Sequence, residues 1–255
     1  MTKRYRVKRL YQQVAEKIMA LIDSQEYEIG ERLPAERKLA EKFHVSRPTI
    51  REAIIALELA GYVEVKTGSG VYIIEHRGGM PRAAEMDVGP FELTEARILF
   101  EGEAAALAAT LITDEELAQL EDALKELIIA NENKPSSELQ DREFHLLIAQ
   151  ATRNSAIVSV IDELWHLKLD SPLNERVFEK VRKQGFRPRI EEHQAILDAL
   201  RNRDPQAARA AMRNHLGRLI DELLEATEIE GVEEVRQRVI RDRERFTVAR
   251  RLGGA

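Results

Sequence analysis

Three histidines and one aspartate have the residue types and the spacing to hold a metal ion. Asp141 and His145 stand four residues apart in DREFHLLIAQAT, so on a helix both side chains leave one face. His193 lies in RIEEHQAILDAL and His215 in AAMRNHLGRLI, each on or beside the apolar stripe of its helix. Imidazoles placed there turn toward a bundle interior, and a buried ring without a polar partner is costly. A divalent cation would give all four residues a partner at once. Three nitrogens and one oxygen suit Zn²⁺, Ni²⁺, Mn²⁺ or Fe²⁺ and leave coordination positions open for another ligand. The alternative is a set of unconnected histidines, satisfied by backbone carbonyls or by water. His44, His76 and His166 stay outside the set: one falls in a turn, one in a linker and one directly after Trp165.

A second group could read DNA. Arg47 and Arg51 are four residues apart and project from one side of a helix near its N-terminus. Pro48 and Thr49 keep that end compact and weakly polar, and they count with the DNA-contacting residues. A helix whose first turn presents arginines can enter a major groove, about 12 Å wide, and reach base edges or phosphates. Arg37, on the preceding helix, could reach flanking phosphates. The alternative for Arg47 and Arg51 is pairing with Glu52 or Glu58 as solvated charges.

The elements that must position these arginines are legible around them. Pro34 suits the first position of a helix with Leu39, Ala40 and Phe43 on its apolar side. His44-Val45 makes a turn and Ser46 is a good N-cap. The next helix, Arg47 to Ala60, buries Ile50, Ile54, Leu57 and Leu59 at helical spacing and ends at Gly61. Residues 62–65 and 71–74 alternate around a Gly-rich turn at 66–70 and predict a hairpin. Glycines at its tip would let the backbone approach a phosphate strand or a minor groove. Ahead of this, Leu10 to Ser24 reads as an amphipathic helix completing a three-helix core, and Lys3, Arg4, Arg6, Lys8 and Arg9 as a phosphate-binding arm.

The segments LPAER, SRPTIREAIIALE and GSGVYI resemble the winged helix-turn-helix signature of GntR-type bacterial transcription regulators, over about residues 10–75. In the FadR branch the arginine of PAER, both recognition-helix arginines and the wing glycine contact operator DNA. The resemblance implies these roles for Arg37, Arg47, Arg51 and Gly68. The C-terminal part is similar to the FCD effector domain, a helical bundle that often holds a divalent metal and senses small carboxylates. Its D-x-x-x-H, H and H positions coincide with Asp141, His145, His193 and His215. FELTEARILFEGEAAALAA is similar to that domain's opening R-x-x-x-E helix, which implies an effector-binding role for Arg97. The alternative for Arg97 is an i,i+4 salt bridge with Glu101. The runs RLYQQVAEKI, REAIIALELAGYVEV and GPFELTEAR resemble the hexuronate-utilisation repressors (the ExuR/UxuR group), which respond to glucuronate, galacturonate or fructuronate. That similarity thins in 171–187 and after Thr227.

Composition agrees with a DNA reader joined to a second module. The net charge is −6, but residues 1–80 hold 14 Lys and Arg against 11 Asp and Glu, a net +3, and the remainder holds 25 against 34, a net −9. There is no cysteine, which excludes disulfides and thiolate metal sites. No apolar run approaches the roughly 20 residues needed to span a bilayer, and MTKRYRVKRL is followed by no signal core. A cytoplasmic protein with no membrane partner is expected. The expected architecture is mainly α: a winged helix-turn-helix domain at 1–75, a linker at 76–90, an antiparallel all-α, FCD-like bundle for effector binding and dimerisation at 91–230, and a charged tail at 231–255.

The function expected is a ligand-responsive regulator, a repressor of hexuronate catabolism genes. As a homodimer it would bind a pseudo-palindromic operator and be released by a small carboxylate held at the metal and Arg97. Regulation by a different small carboxylate is one alternative. A metal-dependent enzyme domain fused to the DNA module is another; the sequence offers no acid and base pair dedicated to such chemistry, and no enzyme is expected.

Overall fold

The computed structural model describes residues 9–66, 69–75, 88–133, 137–185 and 188–227 of the chain. It separates into two compact units, whose described parts are residues 9–75 and 88–227. The phosphate-binding arm at residues 3–8, Gly68, most of the linker (76–87) and the tail at 231–255 lie outside the described residues.

The first unit packs helices α1 (Leu10–Asp23) and α2 (Glu36–Phe43) on α3 (Arg47–Leu59), followed by strands β1 (Val63–Lys66) and β2 (Gly70–Ile73). Tyr11, Val14, Ile18, Leu39, Ile50, Ile54 and Leu57 are buried and form its core. The turn into α3 is made by His44 in the left-handed region, φ 56°, after which the Ser46 side chain accepts from the Thr49 amide. Helix α3 closes in a Schellman motif: the Tyr62 amide donates to Leu57 O and the Gly61 amide to Glu58 O, with Gly61 at φ 74°. The strands pair antiparallel, Val63 opposite Ile73 and Lys66 opposite Gly70.

Two local expectations are corrected. Pro34 does not open α2, which begins at Glu36 with Ala35 as its N-cap. The Leu33 amide instead donates to Val71 O at 2.8 Å, so the chain is still extended beside the wing at this point. Leu59 is only part-buried, and the core contacts expected of it are made by Ile55 and Ala56.

Among its described residues the second unit is a bundle of seven helices: α4 (Pro90–Leu111), α5 (Asp114–Asn133), α6 (Glu138–Ala151), α7 (Ser155–Asp170), α8 (Pro172–Lys183), α9 (Ile190–Arg201) and α10 (Pro205–Ala226). The starts of α5, α7 and α10 are set by the residues the sequence offers for capping. Thr113 and Glu116 exchange side-chain-to-backbone bonds in a capping box. Asn154 caps α7 and Asp204 caps α10. Helix α4 packs most extensively on α10; its alanines 104, 105, 108 and 109 are buried and let the two backbones come close. Leu120, Leu127, Phe144, Ile196, Leu200 and Leu216 fill the space among α5, α6, α9 and α10. This interior brings one face each of α4, α6, α7, α9 and α10 around a polar centre.

Candidate metal centre and nucleic-acid interface

Asp141 and His145 come from α6, His193 from α9 and His215 from α10, and all four are buried. Their candidate ligand atoms all lie within 4.8 Å of one another. The His193 and His215 ring centroids are 4.5 Å apart, and those of His145 and His215 5.3 Å. The i,i+4 spacing of Asp141 and His145 therefore does what the sequence implied. His193 and His215, far apart in the chain, are delivered by the packing of α9 and α10 against α6 and α4.

Each imidazole is oriented by a hydrogen bond at Nδ1. His145 Nδ1 meets the Glu101 carboxylate, His193 Nδ1 faces Arg189 O at 3.0 Å, and His215 Nδ1 faces Glu192 Oε2 at 3.0 Å. With Nδ1 occupied in all three rings, Nε2 is the nitrogen left for a metal. Carboxylate or carbonyl support of this kind fixes the tautomer and raises ligand basicity. His193 Nε2 lies 2.8 Å from Asp141 Oδ1, and His145 Nε2 lies 3.6 Å from the same oxygen. His145 Nε2 is buried with no hydrogen-bond partner. A buried nitrogen of that kind, facing a carboxylate and two more imidazoles, fits a cation.

Electrostatics favour the ligand forms of the acids. Burial alone would raise the Glu101 pKa, but Arg97 and His145 beside it hold it down at about 2. Burial likewise opposes the charge of Asp141, and the facing His145 and His193 hold it well below the usual range. His215 is pushed down to about 4, chiefly by burial, against the pull of Glu192 and with the neighbouring histidines adding to the shift. A neutral His215 offers a lone pair, which a metal requires. His145 is raised: burial works against its protonated form, but Glu101 and Asp141 outweigh it.

The centre opens on a cavity of about 670 Å³, its open mouth included, where Arg97, Asp141, Lys168, Phe178, His215 and Arg218 are among the lining residues. Arg97 is 1% exposed and its Nε bonds Glu101 Oε1 at 2.6 Å, so the i,i+4 salt bridge named as its alternative is present. The two readings are compatible, because Arg97 Nη2 is buried without a hydrogen-bond partner and the residue lines the cavity.

In the first unit, Arg37 is exposed and paired with Glu41 at 2.9 Å. Arg47, with its side chain 48% exposed, reaches Glu36 Oε2 at 3.2 Å. Arg51 is 4% exposed, and its Nε lies 3.1 Å from both Glu36 oxygens. Both arginines thus reach Glu36 of α2, so one buried carboxylate organises the two. Pro48 and Thr49 are part-exposed at the start of α3. At the wing, Gly70 has φ +115°, and a Cβ there would lie 2.4 Å from Arg32 Nε.

Comparison with known proteins places this geometry. Residues 10–73 match the bacterial regulatory proteins of the gntR family, and residues 92–218 match the FCD domain. The chain is 37% identical over 214 residues to the Exu regulon transcriptional regulator of Escherichia coli (strain K12), covering 82% of each. It belongs to the GntR family. The Uxu operon transcriptional regulator of the same strain is 37% identical over 232 residues, covering 88% of this chain and 90% of the relative. Among solved structures, Streptococcus agalactiae GntR is 30% identical and covers 82% of this chain and 98% of its own, at a TM-score of 0.42.

This GntR regulator with an FCD domain uses residues that the sequence did not single out. Glu36 is one, and the PAER segment held it in plain view beside Arg37. Glu192, which orients His215, directly precedes His193; only the fold says that it serves the other histidine. Trp165 packs on His145 with centroids 5.4 Å apart and under the Arg97 guanidinium at 4.1 Å. Lys168, three residues on, is 6% exposed in the cavity, and no local pattern marks it. Among the described residues no helix is long and apolar enough to cross a membrane.

Proposed function

We propose that this protein represses genes of sugar-acid, specifically hexuronate, catabolism, and that a small carboxylate bound at a metal in the helical bundle releases it from its operator. The observation that carries the reading is the convergence of Asp141, His145, His193 and His215 beside a cavity that also holds Arg97. The four residues would hold a divalent ion, and the ion would supply a Lewis-acidic position for an effector oxygen. Arg97 takes the carboxylate's charge through its unpartnered Nη2. Glu101 holds Arg97 and His145 together, so the anion site and the metal site are joined through one carboxylate. The names of the Exu and Uxu relatives support the choice of hexuronates.

On the DNA side, Arg47, Pro48, Thr49 and Arg51 at the start of α3, Arg37 on α2 and Gly68 at the wing form the operator interface. The protein acts in the cytoplasm as a homodimer on a pseudo-palindromic site, two recognition helices about one turn of DNA apart. An exposed apolar stripe on α4, Leu99, Phe100, Leu107 and Leu111, supports a second copy as the occupant of that face. Residues 76–90 join the DNA-reading domain to the bundle of residues 91–230. Sensing needs no turnover, and the Exu and Uxu relatives are named as transcriptional regulators.

Thermal melts of the full chain, with a panel of hexuronates and with and without a chelator, test this reading. One hexuronate should raise the melting temperature by mass action, chelation should abolish the rise, and the same acid should release operator DNA in a gel-shift assay. A shift that survives complete metal removal refutes the metal-bound effector.

A further inference from the structure

Among the described cations that line the cavity beside the cluster, Lys168 has no hydrogen-bond acceptor within reach. Arg182 is bonded to Glu138 at 3.1 Å, and Arg218 is bonded to both Glu192 and Glu222. Lys168 differs. Its Nζ is 3.9 Å from Asp141 Oδ2 and 4.0 Å from Glu138 Oε1, beyond hydrogen-bond reach. Its other close neighbours are the rings of Trp165 at 4.4 Å and Phe178 at 5.0 Å. An ammonium has three N–H groups to place, and burying them without an oxygen acceptor is costly. Arg97, whose guanidinium lies over the same Trp165 ring and lines the same cavity, has its Nη2 buried without a partner. Two cationic donors, Arg97 from α4 and Lys168 from α7, thus line the cavity next to the candidate ligand set.

Charge narrows what could fill them. Among the described residues, the acidic and basic side chains that line the cavity or bond the cluster are Arg97, Lys168, Arg182 and Arg218 against Glu101, Glu138, Asp141, Glu192 and Glu222. The sum is −1, and a divalent ion makes it +1. One carboxylate neutralises that site; a second would leave excess negative charge in a buried space, at a desolvation cost. Arg97 and the ion account for a single carboxylate, so the Lys168 ammonium is left for a neutral acceptor.

We propose that Lys168 is a specificity-determining residue of this cavity, donating to a hydroxyl or carbonyl oxygen of an effector with one carboxylate, so that the site takes mono-anionic hydroxy acids and rejects dicarboxylates. The inference rests on the metal-dependent sensor described above and adds the residue and the charge class that select its ligand.

Calorimetric titration of the full-length, zinc-loaded protein tests it. The probes are glucuronate, galacturonate and fructuronate, set against the dicarboxylates glucarate and galactarate. The best hexuronate should bind at least ten-fold more tightly than either dicarboxylate. Lys168→Met should weaken that hexuronate at least ten-fold with bound zinc and the melting temperature of the unliganded protein unchanged. Lys168→Gln, which keeps a donor, should recover part of the loss even if the methionine variant is unstable. Equal hexuronate affinity in wild type and both variants overturns the role of Lys168 while the sensor stands. A dicarboxylate that binds as tightly as the hexuronate overturns the charge class. If the zinc-loaded wild type binds no acid, the sensor reading itself fails and this inference with it.

Discussion

At the scale of single residues, each half of the protein uses one buried carboxylate to hold two nitrogen-bearing side chains. Glu101 joins Arg97 to His145, and Glu36 joins Arg47 to Arg51. The sequence displayed the first as an R-x-x-x-E spacing, whereas the second lies between helices and became visible only when α2 and α3 were packed. Glu36→Gln tests whether the second pair serves DNA or only the fold. The substitution keeps the shape and removes the charge that faces a 4% exposed guanidinium. Stability should fall by about 1–3 kcal/mol, the usual cost of weakening a buried charge-assisted bond, read by urea unfolding of the full chain. Operator affinity should fall several-fold as well, because Arg47 and Arg51 lose the carboxylate that fixes their direction. Should affinity at equal folded fraction stay unchanged, Arg51 is a core residue and leaves the interface.

At the scale of elements, what the sequence made legible was what local chemistry decides. The cap at Ser46 and the stop at Gly61 set the ends of α3, which the structure reproduces to within a residue or so. Pro34 misled because a proline that suits a first helical turn suits an extended segment equally; the hydrogen bond from Leu33 to Val71 decided between them. The candidate ligand set was legible in part: the aspartate and the first histidine by spacing on α6, the others by their apolar neighbours. Lys168 was not, since a lysine beside a tryptophan on a helix looks like any surface cation until α8 covers it. Helix α4 shows the same division. Its buried alanines explain its packing on α10, but its outward stripe has no partner among the described residues. Phe100, 51% exposed on that stripe, is the residue to change. Phe100→Glu should convert the proposed homodimer to monomer in sedimentation, because a dimer face places the two charges near each other. Metal content should be unaltered, as Phe100 does not belong to the ligand set. A variant that stays dimeric moves the interface off α4.

At the scale of the whole molecule, effector and operator must be coupled through one free energy if the protein is a ligand-released repressor. Coupling of this kind is reciprocal: the factor by which the effector weakens operator binding equals the factor by which operator weakens effector binding. Typical couplings of 1–3 kcal/mol correspond to about 5–150-fold, large enough to measure from both sides. The molecule carries its own reporter for one side, since Trp165 is its single tryptophan and sits against His145, Arg97 and Lys168 at the candidate site. Its fluorescence should respond to a bound hexuronate directly. Titrating the acid into the metal-loaded protein, alone and saturated with an operator duplex, gives one factor; gel-shift titration with and without the acid gives the other. The two should agree, and operator should weaken the acid. If operator leaves effector affinity unchanged, the bundle binds its ligand without instructing the DNA-reading domain, and repression is released by some other event. If operator tightens it, the ligand is a corepressor and the sign of regulation reverses, although the site, its metal and its arginine remain as described.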